Sequence, residues 1–205
     1  MNAPAKFEFS VENQKKAQQI LKKYPNERQA SAVMPLLELA QRQNANWLPP
    51  EAIEYVAKRL QMPEIRVYEV ATFYSMFNLS PVGKFHLQIC TNLPCWLRGS
   101  DSIVKTCKKK LGIELGENSP DGLFSLKEVE CLGACVNAPM MQINDDYFED
   151  LDSKSTETIL DNIRQGIRSK TGTQQARHSC EPIGGLTSLK KQSSLRNKLI
   201  KAKKC

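Results

Sequence analysis

Four cysteines constrain this chain more than any other feature. Cys90 and Cys95 stand as C-x4-C, Cys131 and Cys135 as C-x3-C, with thirty-five residues between the two groups. Thiols grouped in this way converge on one tetrathiolate site, so the fold must bring two distant loops together. Such a site can hold zinc, close into disulfides, or bind an iron-sulfur cluster. Structural zinc sites mostly use C-x2-C knuckles, because a two-residue gap lets both sulfurs reach one small tetrahedral ion. A 2Fe-2S rhomb is wider, with two ligands on each iron, and gaps of four and three suit it better. Gly133 and Ala134 agree with that reading, since small residues let backbone amides approach sulfur closely. Spacing alone ranks the cluster first, zinc second and disulfides last, and leaves all three open.

Composition narrows the remaining classes. A chain of 205 residues with 40 % hydrophobic content holds one domain of ordinary size and a smaller appendage. No apolar run approaches the roughly eighteen residues of a membrane helix, so direct membrane insertion is not expected. The N-terminus has no apolar signal core, and Glu8 and Glu12 interrupt any Arg-rich presequence face. The expectation is a protein that stays where it is made, or one already processed, in a reducing compartment that keeps seven cysteines as thiols. The net charge of +7 comes from residues 177 to 205, which carry eight Lys and Arg against one Glu. The remainder is neutral and has no basic stripe with interleaved aromatics, which argues against nucleic acid.

Residues 10 to 79 read as four amphipathic helices. Ser10 caps the first, which ends before Pro25; the second runs over 27–43 with a kink at Pro35; Pro49-Pro50 and Pro63 open the third and fourth. Phe73, Tyr74, Met76 and Phe77 near the end of this region read first as core packing and second as a docking face. From Lys84 the period changes. The sequence predicts a strand over 85–90, a helix over 102–111 capped by Ser100 or Asp101, and a strand over 124–130. A hairpin follows over 140–151 with its turn at Asp145-Asp146, then a helix capped by Ser155 with Ile159, Leu160, Ile163 and Ile167 inward. The order βαβββα suits a thioredoxin-like domain with both cysteine groups in loops after strand ends, on one edge of the sheet. The expected class is therefore α+β: an arm over 1–9, a helical bundle over 10–80, a thioredoxin-like 2Fe-2S domain over 81–170, and a polar, basic tail over 171–205. Residues 190–205 read as disordered or partner-ordered.

The residues around the cysteines bring a family into view. Cys-Thr-Asn-Leu-Pro-Cys-Trp-Leu-Arg-Gly at 90–99 and Glu-Cys-Leu-Gly-Ala-Cys-Val-Asn-Ala-Pro-Met at 130–140 resemble the small 2Fe-2S subunit of NADH-quinone oxidoreductase, respiratory complex I. Glu-Val-Ala-Thr-Phe-Tyr-Ser-Met-Phe at 69–77 and Pro-Val-Gly-Lys at 81–84 extend the resemblance, and 180–189 looks like the alphaproteobacterial and mitochondrial branch. All four ligand positions match. The resemblance implies one 2Fe-2S cluster on Cys90, Cys95, Cys131 and Cys135, and NADH and FMN on a flavin-bearing partner subunit that the helical region embraces. It implies single-electron exchange with that FMN, off the main route to quinone, beside neighbouring iron-sulfur subunits. It also implies a peripheral arm on the cytoplasmic side of the bacterial inner membrane, or the mitochondrial matrix side for a processed chain. No catalytic residue and no complete substrate site is expected here, since neither a G-x-G-x-x-G nor a G-x-x-x-x-G-K-[ST] loop is present. The family also includes small subunits of soluble NAD-linked hydrogenases and formate dehydrogenases. A zinc-stapled interaction module is the reading from a different class. Cys107 is expected to be a core residue, Cys180 and Cys205 free tail thiols, and His86 and His178 surface or partly buried groups.

Overall fold

The computed structural model describes residues 6–182, 184–185 and 187–188. The chain divides into two compact units, Met1–Lys84 and Phe85–Cys205, each with its own core.

The first unit contains helices α1 (Val11–Leu21), α2 (Val33–Gln43), α3 (Pro50–Leu60) and α4 (Glu64–Phe73). Ser10 Oγ accepts the Asn13 amide and caps α1, satisfying one of its orphan donors. A 3-10 turn, Gln29–Ala32, leads into α2. Pro35 therefore falls in the first turn of α2, where a missing N–H costs nothing, so the kink expected there has no cause. Ala17, Leu36, Leu37, Ala40, Val56 and Val67 are fully buried in one core. Gln41 pins the exit from α4 to α2: its Nε2 donates to the Met76 carbonyl at 3.1 Å and its Oε1 accepts the Asn78 amide at 2.7 Å. Of the four residues weighed as core or docking face, only Phe77 is buried. Phe73 is 79 % exposed, and Tyr74 and Met76 are exposed with it, as are Ile65 and Tyr68 on α4. The core reading fails for these side chains because α4 ends at Phe73 and the chain turns away.

The second unit is a five-stranded sheet in the order β2-β1-β3-β4-β5. β1 (Phe85–Cys90) is parallel to β2 (Phe124–Val129) and antiparallel to β3 (Met141–Ile143), which pairs with β4 (Asp146–Glu149). Ile143 faces Asp146 in register, so the hairpin turn is Asn144-Asp145, one residue earlier than predicted; Asn144 takes the left-handed conformation that turn demands. The parallel pair needs a crossover, supplied by the short α5 (Leu93–Leu97) and by α6 (Ser100–Leu111). α6 begins at Ser100, preceded by the left-handed Gly99, so neither Ser100 nor Asp101 is its cap. α7 (Ser153–Arg164) packs against α6. Its cap is Asp152, in a capping box with Ser155, rather than Ser155 itself. The helix stops at Arg164, and Ile167 is exposed rather than inward. Leu87, Ile89, Phe124, Leu126, Met141 and Ile143 alternate onto the face covered by α6 and α7, with Cys107 buried among them as predicted. β5 (Gly172–Thr173) pairs parallel with β4 and extends the sheet into the stretch predicted as tail.

His86 lies on the opposite face of β1, and it is buried, not at the surface. Its Nδ1 is 2.7 Å from Ser125 Oγ across the parallel pair, and its Nε2 has no hydrogen-bond partner among the described residues. Burial, with a smaller contribution from the Lys127 charge, pulls its pKa from 6.5 down to about 4. The folded state thus keeps His86 neutral in a range where the unfolded chain binds a proton, and stability falls as pH drops from about 6.5 towards 4. The window corresponds to about 3 kcal/mol. Urea unfolding at pH 7 and pH 4.5 should show a larger acid loss for the wild type than for His86→Gln; equal losses would remove His86 from the account.

Candidate metal centre

Both cysteine groups leave the sheet at the same edge, because β1 and β2 are parallel neighbours and Cys90 is in register with Val129. Cys90 ends β1 and is buried. Asn92 then caps α5, its Oδ1 accepting the Leu93 amide at 2.8 Å, and Pro94 fits the first turn, which seats Cys95 in the helix, also buried. Five residues show no period, so hydrophobic periodicity gives no sign of this helix. The second loop carries Cys131, exposed, and Cys135, half-buried at the head of a 3-10 turn over Cys135–Asn137. Gly133 between them has φ of +83°, a left-handed conformation open to glycine at no steric cost, and its amide points at Cys131 Sγ, 3.4 Å away. Of the three small-loop amides that could face sulfur (Leu132, Gly133 and Ala134), Gly133 makes this contact.

Side chains with no obvious role in the sequence tie the two loops together. Asn92 Nδ2 donates to Glu130 Oε2 at 2.6 Å, and Thr91 Oγ1 donates to Glu128 Oε1 at 2.5 Å. Tyr147 Oη donates to the Leu132 carbonyl at 2.9 Å, holding the second loop from β4. Asn92 carried a readable signal, as a helix cap two residues before a proline; the others are long-range and carried none.

The sulfurs form two pairs. Cys131 and Cys135 are 3.3 Å apart, too far for a disulfide and a little inside the roughly 3.8 Å that two thiolates adopt on one tetrahedral metal with bonds of about 2.3 Å. Cys90 and Cys95 are both buried, and the Cys90 sulfur is near enough to raise the pKa of both Cys95 and Cys135. Burial, then the contact with Cys90, pushes the Cys95 thiol up to about 12, while a backbone hydrogen bond from Met140 opposes it. The Gly133 amide draws Cys131 below the ordinary thiol range, and Cys131 in turn raises Cys135. Among the described residues no three Cys, His, Asp or Glu side chains close around a single ion. A close Cys131–Cys135 pair and two buried cysteines, Cys90 and Cys95, at the same end of the sheet suit a dinuclear cluster with two ligands per iron. Cys107 is in the core and Cys180 is an exposed free thiol; His178 is exposed, and Cys205 and residues 190–205 lie outside the described residues. Leu93, Trp96, Leu97 and Val136, all more than half exposed, form an apolar rim on the two cysteine loops.

Comparisons with known proteins point to the 2Fe-2S cofactor class and to the family. The family model for "Thioredoxin-like [2Fe-2S] ferredoxin" matches residues 17–164. The NADH-quinone oxidoreductase subunit designated E in Rickettsia bellii is 63 % identical over 158 residues, 77 % of this chain and 95 % of that protein. NADH dehydrogenase [ubiquinone] flavoprotein 2, mitochondrial, of Dictyostelium discoideum is 50 % identical over 188 residues, 92 % of this chain and 76 % of that one. Among solved structures, an air-oxidized NAD+-reducing [NiFe]-hydrogenase aligns at a TM-score of 0.56 with 19 % identity, over 64 % of this chain and 23 % of the hydrogenase chain. That likeness is one of fold.

Proposed function

The chain belongs to the thioredoxin-like 2Fe-2S ferredoxin family, in the branch of the small 2Fe-2S subunits of NADH-quinone oxidoreductase, and we propose from that membership that it is an electron-transfer subunit of complex I. It carries one 2Fe-2S cluster in the NADH-oxidising module and exchanges single electrons with FMN on a partner subunit. The observation that carries the reading is the convergence of the two cysteine groups at one end of the sheet, in a chain 63 % identical to an NADH-quinone oxidoreductase subunit.

Cys90 and Cys95 hold one iron and Cys131 and Cys135 the other. A cluster so held is a one-electron carrier whose potential depends on charge, hydrogen bonds to sulfur and exposure. The Gly133 amide stabilises negative charge on the Cys131 sulfur, and the Met140 backbone does the same for Cys95. Burial of Cys90 and Cys95 keeps water from one end, while exposed Cys131 leaves the other end open to an electron partner.

The flavin-bearing subunit, with neighbouring iron-sulfur subunits, is the partner, and the exposed apolar face of Ile65, Tyr68, Phe73 and Met76 supports docking through the helical unit. Among the described residues no helix is long and apolar enough to cross a membrane, which accords with a peripheral arm; the proposal puts that arm on the cytoplasmic side, or the matrix side in a mitochondrion. A role in a soluble NAD-linked hydrogenase rests on likeness at 19 % identity and is the weaker reading. The test is low-temperature EPR of the dithionite-reduced chain purified without oxygen, with iron, sulfide and zinc assayed on the same sample. The expected result is an S = 1/2 signal with about two irons and two sulfides per chain. Zinc with no signal would overturn the assignment.

A further inference from the structure

The stretch after α7 runs back to the second cysteine loop, and Arg177 and Asn137 make the connection. Asp150, just past β4, has a carboxylate only 3 % exposed, and the Arg177 side chain is 9 % exposed. Arg177 Nε donates to Asp150 Oδ2 at 2.9 Å and Nη2 to Oδ1 at 2.6 Å, a bidentate pair. The same Nη2 donates to the carbonyl of Val136, the residue after Cys135, at 3.0 Å. Asn137 Nδ2 reaches the same segment through the Ser179 carbonyl at 2.9 Å. Within the turn at 135–137 Asn137 is buried, but the Val136 side chain is 71 % exposed and Cys135 is only half-buried. Polar contacts complete the placement of the turn: Asn137 Nδ2 also lies within donating distance of Glu149 Oε2, at 2.7 Å, and the Arg177 fork bonds the Val136 carbonyl, the main chain next to Cys135.

We propose that Arg177 is a positioning residue for the metal centre: by joining buried Asp150 to the Val136 carbonyl it locks the Cys135–Asn137 turn and sets the placement of Cys135 relative to Cys131. The proposal rests on the reading of these two cysteines as cluster ligands. An ordinary ion pair would serve only to neutralise Asp150, and the two roles separate experimentally.

The experiment compares the full-length, cluster-loaded chain with Arg177→Met, Arg177→Lys and the double variant Arg177→Met/Asp150→Asn. It follows hydrogen exchange in the peptide spanning residues 131–139, cluster bleaching by a chelator, and the g values of the reduced cluster. Arg177→Met should raise both exchange and bleaching about tenfold, the scale of losing one local closing contact, and should shift the g values. Arg177→Lys should recover part of each loss, since it keeps the charge without the fork. The double variant should stay as loose as Arg177→Met, because the Val136 carbonyl remains unheld. Wild-type behaviour in the double variant would show that only the unpaired Asp150 charge mattered, and would overturn the proposal, as would wild-type rates or unshifted g values in Arg177→Met. Absence of iron and sulfide from the wild-type chain would count against the cluster reading itself. The exchange result then decides the lock alone, raised exchange upholding it and unchanged exchange overturning it.

Discussion

Replacing Cys135 with Ala is expected to empty the metal centre, taking iron and sulfide from about two of each per chain to near none, with loss of the visible absorption and of the EPR signal. In the proposed centre each iron takes two protein sulfurs, and the partner of Cys131 would be Cys135, 3.3 Å away. No described residue is positioned to replace it, since no third Cys, His, Asp or Glu closes on either pair. Cys180, exposed and free, follows Ser179, whose carbonyl accepts Asn137 Nδ2 at 2.9 Å, but it joins neither cysteine group in a set of three. The informative control is Cys107→Ala. Cys107 is equally a thiol, but it is fully buried in the core beneath the sheet, where burial pushes its pKa up to about 12 and keeps it protonated. Its loss should leave metal content intact and cost only a small core truncation, about 1 kcal/mol. Retention of cluster in Cys135→Ala, or its loss in Cys107→Ala, would reject the ligand assignment.

The contrast between Cys135 and Cys107 also marks how far the sequence can be read. Strand alternation at Phe85–Cys90 and Phe124–Val129 was legible because one face of the sheet is apolar and the other polar. The cysteine groups were legible because metal chemistry fixes their spacing. Elements held by tertiary contacts were not. α5 is too short to show a period, and the α7 cap went to Asp152 because its carboxylate outcompetes the Ser155 hydroxyl, which instead completes the capping box. Polarity suggested a surface or partly buried place for His86, yet it and its partner Ser125 are both buried. Asp150 and Arg177 are 27 positions apart with no local pattern to link them, and β5 was assigned to the tail because two residues give no period. Phe73 and Met76 look like core by composition and are exposed, as a surface shaped for a partner would be.

Truncating Phe124 to Ala is expected to cost about 3–5 kcal/mol, a large share of the roughly 5–15 kcal/mol that holds a domain of this kind together. Phe124 opens β2 with its ring fully buried, 6.1 Å from the Phe85 ring and with the Arg164 guanidinium 5.8 Å above its centroid. No neighbour can refill that space without moving β1 or α7. The effect should reach the metal centre, because the Val129 carbonyl at the far end of β2 accepts the Thr91 amide and the strand leads directly into Cys131. Urea unfolding followed by cluster absorbance should therefore shift to lower urea in step with loss of the sheet. Leu37→Ala is the matching change in the first unit, in a core that shares no residue with that of Phe124. It should lower helical stability by about 2–5 kcal/mol while leaving the absorbance midpoint in place. If both substitutions move both signals equally, the two units unfold as one cooperative block and the separate cores do not act separately. If only Phe124→Ala releases the cluster, the centre depends on the sheet that positions its loops, and the helical unit remains available for binding a partner.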